Sequence, residues 1–209
     1  MYLFSRLKVG FLLVLVTAVA IVSTWTATAL SQRPIAHAAS TLPVEKGFTF
    51  SMVPSPGISA CLPHAQGRVT IKRRSENDEM RVSVEDLAPN TGYDLFVIEI
   101  PNKPFGISWY QSDLQTNHEG DGSVTVRGIF NVETFSVSQG GPTTTFSPTH
   151  QYHLGLWFDD PQVPFDLGCE PGKTSPVITP FNGEQHAGIQ VLNTSNFPDN
   201  AGPLSHVPA

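Results

Sequence analysis

The sequence predicts an all-β protein: an antiparallel β-sandwich, immunoglobulin-like or related, with about eight or nine strands and a long C-terminal loop region. Two observations carry this prediction. Pro (18) and Gly (17) are frequent among the 209 residues, and both favour turns over helices. Short runs of alternating apolar and polar residues recur along the chain, which is the period of a strand with one buried face.

The first half of the domain contains four predicted strands. The alternation begins at 48–52. The runs 68–72 and 80–85 alternate in the same way on either side of the polar turn 75–78, so they are predicted to form a hairpin. Residues 93–100 are apolar on both faces, which predicts a central strand covered on both sides.

The second half contains shorter runs and a long loop. Further strands are predicted at 108–116, 124–129, 135–137, 152–158 and 189–193. The clearest is 152–158, where Tyr152, Leu154, Leu156 and Phe158 alternate with other residues. The segment that follows, to residue 181, is predicted to be mostly loop because it lacks either period.

The first 38 residues carry the features of an export signal. Arg6 and Lys8 precede an uncharged, mostly apolar run at 9–25, and Ala36-His37-Ala38 offers the small residues of a cleavage site. Residues 1–38 are therefore predicted to be a signal peptide, or an N-terminal membrane anchor if the segment stays uncleaved.

This signal also predicts where the rest of the chain is found. A linker at 39–46 leads into a domain at 47–195, which a C-terminal tail at 196–209 follows. If the signal is uncleaved, residues 9–30 are the contact with the membrane. Either outcome places the domain outside the cytoplasm, secreted or anchored to the outer face of the cytoplasmic membrane.

The sequence contains two cysteines, Cys61 and Cys169. In an oxidising compartment the expected state is one disulfide between them. The alternative is a pair of free thiols in a metal or redox site, but no C-x-x-C spacing supports it.

One stretch resembles a known family. Residues 87–93, Leu-Ala-Pro-Asn-Thr-Gly-Tyr, followed by alternating Leu95 and Val97, resemble the L-x-P-x-T-x-Y corner of fibronectin type III domains. The resemblance implies a β-sandwich in which the hydroxyl of Tyr93 bonds to backbone upstream of it. It covers about 20 residues, and the chain continues well beyond the end of such a domain.

A second comparison concerns copper. Residues 85–96 are similar to the segment before the copper-binding H-x-H strand of Cu/Zn superoxide dismutases. At the matching positions this chain has Asp94 and Phe96 instead of histidines. The dismutase activity is therefore not expected here.

Metal binding is an alternative function, and the sequence offers candidate ligands for two kinds of metal ion. His150 and His153, with Asp159, are candidate ligands for zinc or copper, although i and i+3 face opposite sides of a strand. Calcium is the other possible cofactor, because oxygen-bearing side chains recur at 117–121 and 159–160. Turns use the same residue types for backbone reasons.

Aromatic side chains suggest a binding face. If the alternating apolar residues of 152–158 face the core, His153 and Trp157 share the opposite face. Trp109 and Tyr110 add two more rings, and such a face suits a sugar ring or a protein partner. The alternative is that Trp157 packs beneath the 160–181 loop.

Composition narrows the function without identifying it. The formal net charge of −6 opposes nucleic-acid binding, which needs a basic surface. No G-x-S-x-G elbow or other local catalytic arrangement is present, so enzyme activity is left open and a non-catalytic role is favoured. We expect an exported protein that binds a protein or glycan at the cell surface; the alternatives are a metal-binding protein and a hydrolase on the same scaffold.

Overall fold

A computed structural model describes residues 47–74, 76–130, 136–137, 140–145, 150–180 and 186–207. The predicted signal peptide and linker lie outside these residues. The strands are β1 Phe48–Pro54, β2 Gln66–Lys72, β3 Asp78–Glu85, β4 Gly92–Ile98, β5 Ser108–Gln115, β6 Gly122–Gly128, β7 Ser136–Val137, β8 Thr144–Thr145, β9 His153–Phe158, β10 Thr179–Pro180, β11 His186–Ala187 and β12 Gln190–Asn193. A helix α1 spans Gln162–Asp166, and 3-10 helices span Ile58–Ala60 and Pro203–His206.

Eight of the strands form one antiparallel sheet in the order β5-β4-β9-β12-β1-β2-β3-β6. β1 links its two halves, because residues 48–52 pair with β2 while Val53 and Pro54 pair with β12. The two outer strands also meet, through a bridge between Thr116 and Gly122. The sheet is therefore curled almost into a barrel, which confirms the all-β, antiparallel prediction.

The core fills the inside of this curled sheet. Alternate residues of β2 and β3 point into it, as the period-2 pattern predicts: Val69 lies opposite Val82, and Val82 lies opposite Val124. On the other half, Leu95 lies opposite Leu156. The loop after β9 departs from expectation, since its residues 162–166 form the short helix α1, which begins directly after Pro161.

The C-terminal residues pack against the same core. Leu204 and Val207 belong to the main apolar cluster, and the amide of Leu204 donates to the carbonyl of Tyr152 at 3.0 Å. Within the described ranges, no helix is long and apolar enough to cross a membrane.

The disulfide between Cys61 and Cys169 is present, as predicted. It joins the segment after the first 3-10 helix to the segment after α1, across 108 residues of sequence. In the chain-entropy view, closing a loop of this length stabilises the fold by about 4–5 kcal/mol.

Tyr93 occupies the corner that the fibronectin-like motif implies. It is fully buried, and its hydroxyl accepts a hydrogen bond of 3.0 Å from the amide of Ala88, upstream of it. The motif therefore fixes the entry to β4, the strand on which the site described below is built.

Replacing Tyr93 with Phe tests this corner. The variant leaves the buried amide of Ala88 without its acceptor, so we expect the free energy of unfolding to fall by about 1–3 kcal/mol. Chemical denaturation measures the change, with Tyr152→Phe as the matched control for loss of a phenolic hydroxyl. Equal stability of the Tyr93→Phe variant and the parent would contradict the role given to the hydroxyl.

Candidate functional site

The outer face of β4 and β9 carries a second apolar cluster, separate from the main core. Leu154, Leu156 and Phe158 point into the main core. On the opposite face, Trp157 joins Ile98 and Ala187 in a second, smaller apolar cluster. This face is therefore covered by other parts of the chain rather than by water.

Trp157 lies on the outer face of β9, beneath the residues that cover this face. Only 4% of it is exposed, and its ring makes edge contacts with Phe96 at 5.3 Å and with Phe105 at 5.0 Å between centroids. A side chain at Gly155 would collide with the Trp157 ring and with the Gln190 amide. Glycine is therefore required at 155 for the ring to lie flat along the strand.

A cavity of about 630 Å³ opens beside Trp157. Its aromatic lining is Phe96, Phe105, Trp109, Tyr110 and Trp157, and we call this feature the aromatic groove. Trp109 is 45% exposed and Tyr110 39% exposed, so these two rings remain accessible at the mouth of the groove.

The far wall of the aromatic groove is made by residues distant in sequence. Thr179 and Pro180 of β10 and Ala187 of β11 line it. A second cavity, of about 620 Å³, shares Phe105, Trp157 and Thr179 with the first and extends toward Glu170. The rings of Phe105 and Trp157, which are in contact, therefore border both cavities, which we call the two chambers.

A backbone irregularity sets the position of Tyr110. The pairing of β4 with β5 shifts register between Leu95 and Phe96, so that Leu95 faces Ser112 while Phe96 faces Tyr110. A bulge of this kind re-aims the side chains next to it. The Tyr110 ring consequently meets the Phe96 ring edge-on at 5.7 Å.

Carboxyl groups gather next to the aromatic groove. Asp94 on β4 lies directly opposite Asp113 on β5, and it is 1% exposed. Neither of its oxygens receives a hydrogen bond from a donor among the described residues. The Tyr110 hydroxyl donates to Oδ1 of Asp113 at 2.6 Å, which links this pair to the rim of the groove.

Asp159 adds a third carboxyl to this carboxyl cluster. Its amide donates to the carbonyl of Gly92 at 3.1 Å, which places it beside the start of β4. Burial, and then the charges of Asp113 and Asp160, raise the pKa of Asp159.

The electrostatic consequence is largest at Asp94. Burial, followed by the charges of Asp159 and Asp113, raises its pKa from 3.8 to about 7. Burial and the bond to Asp113 also raise the pKa of Tyr110 above its ordinary value. A carboxyl group that holds its proton near neutral pH is unusual, and such groups are concentrated at functional sites.

The predicted transition-metal ligands have other partners. Nδ1 of His153 lies 2.9 Å from the Thr194 hydroxyl, and Nε2 lies 3.2 Å from the carbonyl oxygens of Pro198 and Asp199, to which it must donate. Burial lowers the pKa of His153. The ring of His150 stacks on Tyr152, with 5.2 Å between centroids.

Asp159, the third predicted ligand, lies in the carboxyl cluster described above. No three His, Cys, Asp or Glu side chains of the described residues are grouped as a metal ion requires. At the predicted calcium turn, Oδ1 of Asn117 accepts from the amides of Glu119 and Asp121, a backbone role. Both metal hypotheses stay predictions.

No family model, curated protein or solved structure matches this chain. Of the predicted ligand-binding residues, Trp109, Tyr110 and Trp157 lie together in the aromatic groove, whereas His153 bonds to the C-terminal segment.

The carboxyl pair was not predicted as part of a site. Its signal is nevertheless visible in the sequence, since Asp94 interrupts a strand that is otherwise apolar on both faces. A charged residue type in such a strand conflicts with its surroundings, and such conflicts are characteristic of functional positions.

Replacing Asp94 with Asn should alter how stability depends on pH. Between about pH 4 and 7 the folded protein holds a proton on Asp94 that the unfolded chain has lost. The stability of the parent relative to Asp94→Asn should therefore fall by roughly 2–4 kcal/mol as pH rises through this window, and stay level above it.

Denaturant titrations from pH 4 to 8.5 measure this difference. The contribution of His153 has the opposite sign but is common to both proteins, so it cancels in the comparison. Asp121→Asn, on an exposed turn, is the matched control. Parallel stability curves for the parent and Asp94→Asn would show that Asp94 ionises normally.

Proposed function

We propose that this chain is an exported, non-catalytic protein that binds a glycan in the aromatic groove. In this proposal the scaffold is a flattened β-sandwich, immunoglobulin-like or related, whose halves β6-β3-β2-β1 and β12-β9-β4-β5 face each other. The last strand of the chain, β12, lies beside the first, β1, which joins the two halves.

The observation that carries the proposal is the pair of rings at the mouth of the groove. Trp109 and Tyr110 keep 45% and 39% of their surface exposed, while Phe96, Phe105 and Trp157 wall the cavity behind them. Exposing two large rings beside a cavity costs solvation free energy, which an apolar sugar face removes when it stacks on them.

The shape of the groove favours a glycan over a protein partner. Cavities of small ligands are concave, mostly apolar and of about 300–1,000 Å³, and both chambers have this size. A stable protein interface buries about 1,200–2,000 Å² of more even surface. A chain of sugar units suits two adjoining chambers better.

Export agrees with this proposal. The predicted signal peptide or anchor would bring the domain to the cell surface, where glycans are abundant. The low content of charged residues, 14%, also suits recognition by ring stacking and hydroxyl contacts rather than by ion pairs.

A hydrolase is the second candidate, because a carboxyl group with a pKa of about 7 is suited to proton transfer. Against it, Asp94 is 1% exposed, so a substrate bond would have to reach a closed position. Release of reducing sugar from the glycans that the protein retains would favour this second candidate.

Replacing Trp109 with Ala tests the binding proposal. Loss of a stacking ring from the site costs about 1.4–2.8 kcal/mol, so we expect a ten- to hundredfold weaker affinity with an unchanged fold. Affinity electrophoresis of the full chain through gels that contain mannan, β-glucan, arabinogalactan or peptidoglycan fragments measures it.

The matched control is Ile129→Ala, which removes an apolar side chain of 66% exposure that does not line either chamber. Equal retardation of the Trp109→Ala variant and the parent, or no retardation of the parent by any of these glycans, would sink the proposal. The Trp157→Ala variant should instead lose stability, because it empties the floor of the groove.

A further inference from the structure

We propose that Asp94 and Asp113 share a single proton in the folded protein, and that this proton holds Tyr110 at the rim, so that binding in the aromatic groove is proton-linked. The inference rests on the proposed function for its ligand. Its first test needs no ligand, so the two can fail separately.

Register and burial carry the first step. Asp94 and Asp113 are directly opposite each other on antiparallel strands, where β-carbons are about 4.5–5.5 Å apart and like charges repel. Asp94 is 1% exposed and has no donor for either oxygen among the described residues. A buried carboxyl group such as Asp94 makes a stable contact with the exposed carboxyl of Asp113 only when one of the two donates its proton to the other.

The second step connects this pair to the groove. Oδ1 of Asp113 already accepts the hydrogen bond of the Tyr110 hydroxyl at 2.6 Å. Asp113 is therefore an acceptor on both sides in this proposal, and the enclosed Asp94 is the group that keeps the proton. Tyr110 is held from both sides, by this bond at its hydroxyl and by the Phe96 ring at its edge.

The third step is the effect of losing the proton. When Asp94 releases it to water, two carboxylates lie opposite each other on β4 and β5, one of them buried. Because Asp94 is enclosed on β4, the more exposed Asp113 must turn toward solvent. The Tyr110 hydroxyl follows its acceptor, and the ring leaves the position in which it walls the groove.

The charged groups around Asp94 all raise its pKa. The charged groups that act on Asp94 are Asp113 from β5 and Asp159 from the end of β9, and Asp160 stands beside Asp159. The neighbour on β9 is Trp157, which carries no charge. The pKa of Asp94, about 7, places the change near neutral pH.

The size of the effect follows from proton linkage. If only the protonated form binds, the apparent affinity for a glycan falls about tenfold for each pH unit above the pKa. We therefore expect roughly tenfold weaker retention at pH 8 than at pH 6. The Tyr110→Phe variant lacks the linking hydroxyl, so its retention should be nearly the same at both values.

The test that needs no glycan is an infrared titration of the full chain between pH 5 and 9. We expect the C=O band of one protonated carboxyl group to disappear near pH 7. The band should be absent from Asp94→Asn and unchanged in Asp121→Asn. If Asp94→Asn does not fold, the titration of Tyr110→Phe, in which the band persists, takes its place.

Three outcomes would overturn the inference. The first is the absence of any protonated carboxyl band above pH 5.5. The second is calcium binding at pH 7.5 that Asp94→Asn abolishes, because the cluster would then hold a cation instead of a proton. The third is equal pH dependence of glycan retention in the parent and Tyr110→Phe. A titrating band without glycan binding would leave the shared proton intact and remove only the ligand.

Discussion

The burial of β4 on both faces is the constraint on which the rest of the site depends. Its inward residues Tyr93, Leu95 and Val97 fill the main core, and its outward residues Phe96 and Ile98 require a second cover. A strand in this situation cannot lie at a solvated face of a sheet. The cover comes from the segment between β4 and β5, which carries Phe105, and from β10 and β11, and the aromatic groove is the space that this cover leaves.

The same constraint explains the position of the disulfide. Cys169 and Glu170 follow α1 and line the second chamber, so the bond to Cys61 attaches this covering segment to the residues between β1 and β2. The cover has few strands of its own, since β10 and β11 contain two residues each. A covalent attachment therefore supplies stability that short strands cannot.

Much of the framework could be predicted from local sequence patterns. Alternation located the strands around the core, the motif at 87–93 identified the bond from Tyr93 to Ala88, and the cysteine count identified the disulfide. Each of these depends on neighbouring residues or on a single possible pairing.

The site itself depends on contacts between distant segments, which no local pattern contains. Trp157 was predicted to share an outward face with His153, but its burial depends on Phe105 and on β10, which are far away in sequence. The pairing of Asp94 with Asp113 depends on a register that includes a bulge. Even so, the isolated Asp94 within an apolar strand was the one local sign of it.

Tyr110 connects the aromatic groove to the carboxyl cluster. Its ring shapes the mouth of the groove and its hydroxyl reports the charge state of the carboxyl cluster. An unpaired buried carboxyl group lowers the stability of a fold when it is charged. The position of Asp94 beside a ligand-sized cavity is consistent with a role of its proton in holding Tyr110 at the rim of the groove.

The most direct test of the central claim is acrylamide quenching of tryptophan fluorescence in the full chain, with Trp25 replaced by Phe in all samples. Further replacement of Trp109 or Trp157 with Phe separates the two remaining signals. We expect Trp109 to be quenched in the free protein and protected when a retained polysaccharide is added, while Trp157 is protected in both states. A Trp109 signal that stays fully quenchable in the saturated complex would contradict it, because the glycan would then bind elsewhere.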